Sequence, residues 1–347
     1  MHDANGHAPS VSVVMPLYNA QATIDACLAP LLDMLARGEV SELIVVDDGS
    51  TDSSVRQVER HPQIRLVRST ARGGPGAARN LGAAQAHGEY LWFVDSDVLL
   101  APDAARVLTQ LLATERPQAA IGSYDDAPGA SNFLSQYKNL VHAYYHHRGR
   151  RTASTFWSGC GAIQRELFLR LGGFDADRYP YPSIEDIELG YRVITDGGAI
   201  VLEPALQGKH LKEWRLGNLL HTEVFRRAIP WATLMLERRQ LTDDLNVSRS
   251  ERVRAGLAGL TLLALITALP GWLPPWLPGA LIVVAVLANW RLIAFFAVKR
   301  GVLFSAGAFL FHQLYYLYSS AAFAYAVAGH RASTDSAKSV TRGPPRP

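Results

Sequence analysis

Asp95-Ser96-Asp97 follows the apolar run Tyr90 to Val94 and sets two carboxylates one residue apart, on one face of the extended chain. Carboxylates so spaced suit a hard divalent cation, Mg2+ or Mn2+, that also holds a diphosphate and takes up charge as a leaving group departs. An acid pair at the end of an apolar run is common; its weight comes from two clusters before it. The first, Asp47-Asp48-Gly49-Ser50-Thr51-Asp52, offers carboxylates that can accept from a base N–H or from ribose hydroxyls, with Gly49 permitting a sharp exit. The same residues also read as an Asp-Gly turn leading into a helix N-cap. The second, Arg72-Gly73-Gly74-Pro75-Gly76-Ala77-Ala78-Arg79-Asn80, places glycines ahead of a helix, where backbone can approach a phosphate. It does not follow the first strand, which argues against an NAD site. Arg79 either braces a pyrophosphate or pairs with a surface acid.

A fourth cluster lies further on. Gly172-Gly173-Phe174-Asp175 and an aromatic-proline loop, Tyr179 to Pro182, precede Ile184-Glu185-Asp186-Ile187-Glu188-Leu189. Glu185 and Asp186 fall in the first turn of a helix running toward Asp196. There they serve either as helix-start charges stabilised by the dipole or as a base taking the proton of an attacking hydroxyl.

The elements that must carry these clusters alternate. Val11 to Pro16 reads as a first strand and Gln21 to Leu35 has helical spacing. Leu43 to Asp47 is a continuously apolar strand of the kind buried on both faces of a parallel sheet. Ile64 to Arg68 and Tyr90 to Val94 are two more strands. Ala77 to Ala86 and Pro102 to Thr114 are helices, the latter opened by proline. This β-α order predicts an α/β, Rossmann-like, mostly parallel sheet with helices on both faces. Ligands of such sheets sit at the carboxyl ends of the strands, where every strong polar cluster falls.

With 48% hydrophobic and 19% charged residues in 347, the chain can bury a core and is not disordered. A formal net charge of +3 excludes a strongly cationic nucleic-acid binder. Two cysteines, Cys27 and Cys160, exclude a disulfide framework and a four-cysteine zinc site. Residues Met1 to Ser10 are polar, without the pattern of an export signal, so the N-terminal part is expected in the cytosol.

Composition changes along the chain. From Leu257 it is almost purely apolar, with candidate membrane spans at Leu257 to Trp272, Leu277 to Trp290 and Val302 to Ala328. Pro274, Pro275 and Pro278 split the first two, so a tight hairpin or re-entrant pair is open, as is a buried helical subdomain. Before them, Lys209 to Arg254 holds ten Lys/Arg against six acids, a local surplus of four, interleaved with Trp214, Leu219, Trp231 and other apolar residues. That composition suits an amphipathic segment in the headgroup plane. The expected division is a catalytic domain at 1–208, a basic interface segment at 209–254, an all-α membrane region of about three spans at 255–330, and a disordered tail at 331–347. Three crossings would leave that basic tail outside, against the positive-inside tendency, so the span number stays open.

Taken in order, these motifs resemble the family 2 glycosyltransferases of GT-A fold over roughly Val11 to Trp214. They are Pro16-Leu17-Tyr18-Asn19, Asp47-Asp48-Gly49-Ser50, Gly76-Ala77-Ala78-Arg79-Asn80, the Asp-x-Asp at Asp95 to Asp97, Gly159-Cys160-Gly161, Gly172 to Asp175, and Glu185-Asp186. The resemblance implies an inverting, metal-dependent transfer from a nucleotide-diphosphate sugar, most commonly a UDP-sugar. It implies a nucleotide-sugar site drawn from Pro16, Tyr18, Asn19, Asp47, Asp48, Arg79, Asp95 and Ser96. Asp95 and Asp97 would hold the Mn2+ or Mg2+, and Asp186, beside Glu185, would be the base. An acceptor site would be shaped by Gly159, Cys160 and Gly161, with Trp214 nearby. Related enzymes often bring a late histidine to the metal; His210 is either that ligand or an interfacial side chain. Processive members carry Gln-x-x-Arg-Trp near this place. Here Gly208-Lys209-His210 follows Gln207 and Trp214 comes too late, which implies one or a few sugars per acceptor.

A membrane location, of the bacterial inner-membrane type with the catalytic part facing the cytosol, implies a lipid or lipid-linked saccharide as acceptor. A polyprenyl phosphate is the alternative, but it is already ionised and has little use for the base that Glu185-Asp186 would supply. His312, Tyr315, Tyr316 and Tyr318 either line a path for the acceptor or pack as interfacial aromatics. A non-catalytic sugar-nucleotide scaffold, a transporter and a nucleotidyltransferase are the competing classes.

Overall fold

Val11–Leu17 forms β1, followed by α1 (Ile24–Ala36), β2 (Glu42–Asp47), α2 (Ser54–Val58), β3 (Arg65–Arg68), α3 (Gly74–Gln85) and β4 (Tyr90–Val94). Then come β5 (Val98–Leu100), α4 (Ala104–Glu115), β6 (Ala119–Tyr124), α5 (Phe133–Arg148), β7 (Thr152–Ala153) and β8 (Cys160–Gln164). The sequence of elements closes with α6 (Arg165–Arg170), α7 (Glu185–Thr195) and β9 (Ile200–His210). This is a computed structural model; it describes residues 9–239, 243 and 245–341, of which 333–341 are given as helical backbone alone. The chain divides into two compact units, Met1–Arg215 and Leu216–Pro347.

Among the described residues of the first unit nine strands join one sheet, in the order β3-β2-β1-β4-β8-β6-β9-β5, with β7 beside β9. The first four run parallel, as their uninterrupted apolar sequences predict. The expectation of a mostly parallel sheet needs one correction beyond them: β8 is antiparallel to both β4 and β6, and β5 to β9. The consequence is functional. Because β8 runs backwards, the residues before it, rather than after it, reach the edge where β4 ends.

Both faces of the sheet are covered. Val13, Met15 and Leu17 of β1 share a core with Ile24, Leu28 and Leu31 of α1 and with Leu108 and Leu112 of α4. On the opposite face α3 lies so close that a Cβ on Gly82 would stand 2.5 Å from Val14 Cγ1 and 3.0 Å from Val46 Cγ2. A methyl there would push the helix off the sheet.

The second unit is helical. α8 (Leu216–His221) passes through a π-helical stretch, Thr222–Ala228, into α9 (Ile229–Glu237). α10 (Arg249–Ala268), α11 (Trp276–Ala288), α12 (Trp290–Arg300) and α13 (Val302–Thr341) follow. The expected spans coincide with these helices, but among the described residues no single helix is long and apolar enough to cross a membrane. The physical reasons are in the sequence. Charged Arg249, Glu251, Arg252 and Arg254 occupy the start of α10, and Pro274 and Pro275 end the apolar run after it. Asn289 separates α11 from α12, and His312, Gln313 and a group of tyrosines dilute α13. Taken together α11 and α12 have the length and apolar composition of a span, with a bend of 67° between them. The basic interface segment is likewise not one element, since Lys209 and His210 end β9 and Leu216 begins the helical unit. Residues 331–341, expected as a disordered tail, continue α13; 342–347 lie outside the described residues.

Candidate active site

The four clusters converge at the end of the sheet where β1, β2 and β4 finish. Asp47 and Asp48 close β2 and are both buried. Asp47 Oδ1 accepts from the Ser50 N–H at 2.9 Å, so this carboxylate serves the turn. Asp48 turns the other way and accepts from the N–H groups of Gly73 and Gly74, each at 2.8 Å. The acid after β2 thus clamps the glycine loop that opens α3. Gly74 has φ +82°, and a Cβ there would lie 2.4 Å from the Pro180 carbonyl oxygen, so only glycine fits against the aromatic-proline loop. Asn19, itself at φ +48°, ties β1 to β2: its side-chain oxygen accepts from Thr51 N–H at 2.8 Å and its own N–H donates to Ser50 Oγ at 3.1 Å. Pro16 is buried within β1, opposite Val46. Beside it Tyr18 is exposed, with the Arg72 guanidinium 4.0 Å above its ring. That stack stands at the mouth between β1 and α3.

Arg79 pairs with acids, but inside the protein rather than on its surface. It is buried, and Nη2 donates to Asp95 Oδ1 at 2.6 Å while Nη1 donates to Glu185 Oε1 at 3.2 Å. It is an internal tie between the acid that follows β4 and the acid that opens α7. Burial raises the Asp95 and Glu185 carboxyls above their ordinary range; Arg79 opposes this, and the neighbouring Asp97 and Asp186 add to it. Glu185 Oε2 accepts from Ser183 N–H at 2.9 Å, so both oxygens of this acid are engaged.

Asp95 to Val98 form a tight turn, with Val98 N–H donating to Asp95 O at 3.0 Å. Ser96 offers its carbonyl to Thr23 Oγ1 at 2.7 Å. The turn separates the two aspartates: Asp97 faces His210, whose Nε2 lies 3.6 Å from Asp97 Oδ2. β5 and β9 set this pair, since Val98 is directly opposite His210 in their antiparallel register. Burial opposes ionisation of Asp97, but the neighbouring His210 ring and the Lys212 ammonium hold its carboxyl below the ordinary aspartate range. Among the described residues no three His, Cys, Asp or Glu side chains are gathered at ligand spacing. A carboxylate and an imidazole side by side would suit a divalent transition-metal cation such as Mn2+ better than Mg2+, which prefers oxygen donors.

Asp186 is half-buried at the start of α7, and its Oδ2 accepts from both the N–H (3.2 Å) and the hydroxyl (3.3 Å) of Ser158. Ser158 arrives because β8 is antiparallel: Cys160 pairs with Val94, and Asp95 N–H donates to Gly159 O at 3.3 Å. Cys160 itself is a correction. Its side chain is fully buried and burial pushes the thiol up to about 12, so it presents no group to a ligand. Gly159 and Gly161 are required by packing, since a Cβ on either would meet Trp157, the ring in one case and the carbonyl in the other. Trp214 is buried, with Lys212 Nζ 4.3 Å over its ring.

Sequence reasoning missed the aromatic wall behind His210. Tyr124 stacks on the His210 ring (centroids 4.6 Å apart, planes 14° apart) and meets Trp157 edge-on at 4.8 Å. His142 of α5 packs against both Tyr124 and Trp157. The ring-rich stretch Tyr137 to His147 was the available signal, but nothing in it announces which strand it will cover.

A doubly wound sheet with paired acids at its carboxyl edge is an α/β arrangement suited to a polar ligand in the crevice at the strand ends. Comparisons with known proteins give the family. Residues 12–172 match the sequence profile described as Glycosyl transferase family 2, and this segment is a family 2 glycosyltransferase domain. Among curated relatives, validoxylamine A glucosyltransferase of Streptomyces hygroscopicus subsp. limoneus is 30% identical over 230 residues, covering 57% of this chain and 50% of its own length. Poly(ribitol-phosphate) beta-glucosyltransferase of Bacillus spizizenii is 38% identical over 99 residues, or 27% of this chain and 16% of that protein. The chain thus spans half or less of these relatives. Among solved structures, a mannosyltransferase from Pyrobaculum calidifontis in complex with GDP-Man and Mn2+ is similar in fold, with TM-score 0.50, 22% identity, and coverage of 92% of this chain and 88% of that one.

Proposed function

We propose that this protein is a membrane-associated, non-processive glycosyltransferase. In this reading it moves a sugar, with inversion, from a nucleotide-diphosphate sugar to a hydroxyl of a lipid or lipid-linked saccharide. The observation that carries the reading is the meeting, at one sheet edge, of a metal-suited pair (Asp97, His210) with a carboxylate held by Ser158 (Asp186). The related glucosyltransferases and the GDP-Man complex of the structural neighbour support a nucleotide-sugar donor. A UDP-sugar is the donor we favour.

The residues would divide the work as follows. Asn19 and Asp48 shape the crevice for the nucleotide, and the exposed Tyr18–Arg72 stack flanks its mouth. Asp97 and His210 would hold a divalent cation, which neutralises charge on the diphosphate. Asp186 takes the proton of the acceptor hydroxyl as its oxygen bonds to the anomeric carbon; the bond from that carbon to the diphosphate breaks and the nucleoside diphosphate leaves. Glu185 and Arg79 act one layer behind, fixing the start of α7 and the Asp95 turn. The aliphatic residues exposed on the helical unit support attachment to a membrane; in this reading the catalytic unit faces the cytosol.

The test is thermal denaturation of the detergent-solubilised chain with UDP- and GDP-sugars, with and without Mn2+. A donor that binds only the folded state raises the melting temperature by mass action. A metal-dependent rise with one nucleotide class is expected. No rise with any nucleotide in the presence of metal overturns the reading.

A further inference from the structure

Helices α10 and α11 pack as a hairpin whose chemistry changes from base to tip. At the base, Arg249, Arg252 and Arg254 open α10, and Arg254 Nε donates to the Ala288 carbonyl at the end of α11 at 3.0 Å. Arg291 follows directly, and Lys299 and Arg300 end α12, which departs from α11 at 67°. At the tip the chain turns at Gly271 (φ +81°), flanked by Leu269, Trp272 and Trp276, which are 88%, 78% and 68% exposed.

In α10, α11 and α13 the packing is inverted relative to a water-soluble bundle, although α8, α9 and α12 bury Leu219, Leu234, Leu292 and Phe296 in the ordinary way. The buried positions of the first three include Ala258, Ala264, Ala285, Ala308 and Ala322, while Leu263, Ile266, Val283 and Leu287 face outward. Polar side chains are on the inside: Tyr316 OH donates to Glu251 Oε2 at 2.6 Å and lies 3.1 Å from Asn289 Oδ1, and Glu251 also pairs with Arg254. Small residues between helices, satisfied polar groups within and large aliphatics without are what a hydrocarbon surrounding selects.

Length decides how the hairpin meets a bilayer. At about 1.5 Å per residue, the 13 residues of α11 rise about 20 Å. The hydrocarbon core is about 30 Å thick. The charged start of α10 ends at Arg254, and the 14 residues beyond it, 255–268, also rise about 20 Å, so each apolar arm is too short to cross and long enough to fill one leaflet when tilted. The cations gathered at the base match anionic headgroups.

We propose that α10–α11 is a monotopic anchor that enters one leaflet of an anionic bilayer tip first, with its arginine base at the headgroups and α12 along the interface. This deepens the membrane side of the function proposed above and is independent of sugar transfer. For the test, the full chain carrying Leu269→Cys, labelled with the fluorophore NBD, is added to preformed phosphatidylcholine vesicles with about a quarter phosphatidylglycerol. Cys27 and Cys160 are buried and stay unlabelled.

The label should be quenched by acyl-chain nitroxides and protected from dithionite supplied outside or trapped inside. Labels at Ser250→Cys and Arg291→Cys should both react from outside. Leu269→Asp combined with Trp272→Asp should weaken vesicle partition about 100-fold, while the nucleotide-induced melting shift in detergent persists. A label at position 291 reached only from inside, a tip label open to external dithionite, or a chain that self-associates and leaves vesicles alone, each overturns the anchor. Vesicle insertion with no nucleotide-induced shift would sink the sugar-transfer reading and leave the anchor standing.

Discussion

Arg79 Nη2 holds Asp95 Oδ1 at 2.6 Å from inside the protein, so the acid that ends β4 is positioned by a buried guanidinium which also grips Glu185. One side chain therefore locks the Asp-x-Asp turn to the helix that carries Asp186. Removing it leaves two acids facing a site with no counter-charge. Losing one member of a buried ionic set costs about 3–5 kcal/mol. Arg79→Met should lower the melting temperature accordingly, and Glu185→Gln in the same chain should recover part of the loss, because the two changes share a contact and are not additive. Equal losses in the single and double variants, measured by thermal unfolding, would contradict the tie.

Glu185 gives a pH test with a definite sign. Burial, reinforced by Asp186 and opposed by Arg79, raises its carboxyl pKa in the folded protein above the ordinary value of 4.5. The folded state then binds more protons than the unfolded state between those two values, so this group's contribution to stability falls as pH rises through that window. Glu185→Gln removes the contribution. The difference in melting temperature, variant minus parent, should become more positive as pH rises from about 4.5 toward neutrality. A difference that becomes more negative would mean the carboxyl is held ionised instead.

Much of the sheet was legible because buried parallel strands leave an unmistakable mark: Leu43 to Asp47 and Tyr90 to Val94 can hardly be anything else. The acids at their ends were equally plain. What periodicity could not give was direction. β8, Cys160–Gln164, reads as an apolar run of either polarity, and only its antiparallel seat beside β4 brings Ser158 to Asp186. Arg79 was visible, but its partner depended on a contact 106 residues away. The membrane spans were overread for a simpler reason: hydrophobicity fixes the solvent a helix prefers, while Gly271 and Asn289 decide how far it runs before turning.

Asp48 should prove to act through the loop it clamps. Its two oxygens take the N–H groups of Gly73 and Gly74, and Asp48→Ala would strand both. A buried donor left without a partner costs about 1–3 kcal/mol, so the variant should lose stability and, in addition, bind donor more weakly as the loop relaxes. Asp48→Asn keeps one acceptor and should fall between. Donor affinity and melting temperature are the two readouts. An Asp48→Ala chain with parental stability would show that the clamp is dispensable.

Asp97 and His210 should set the metal requirement. Asp97→Ala removes the carboxylate donor and should abolish the Mn2+-dependent part of the nucleotide-induced melting shift. His210→Gln retains a polar group but loses the imidazole that faces Asp97 at 3.6 Å. The Mn2+ concentration giving half the shift should rise by about tenfold or more. Chelation by EDTA should bring the parent to the level of Asp97→Ala. A parent whose shift survives EDTA unchanged would remove the metal from the proposal.

Gly159→Ala tests the least obvious contact in the site. The new methyl would sit 2.8 Å from three atoms of the Trp157 ring, and Ser158, which lies between them in sequence, holds Asp186 through both its N–H and its hydroxyl. The ring is itself wedged against Tyr124 and His142, so it has little room to give. Strain of this kind costs about 1–3 kcal/mol, and the backbone carrying Ser158 is the part free to move. Donor binding, which uses other elements, should stay near the parental value. The turnover rate should drop by about tenfold to a hundredfold, because a base displaced by as little as an ångström is poorly aligned with the acceptor hydroxyl. Ser158→Ala, which keeps the N–H contact, should lose less. A Gly159→Ala enzyme with weakened donor affinity and an unchanged turnover rate would mean that Asp186 is not positioned through Ser158.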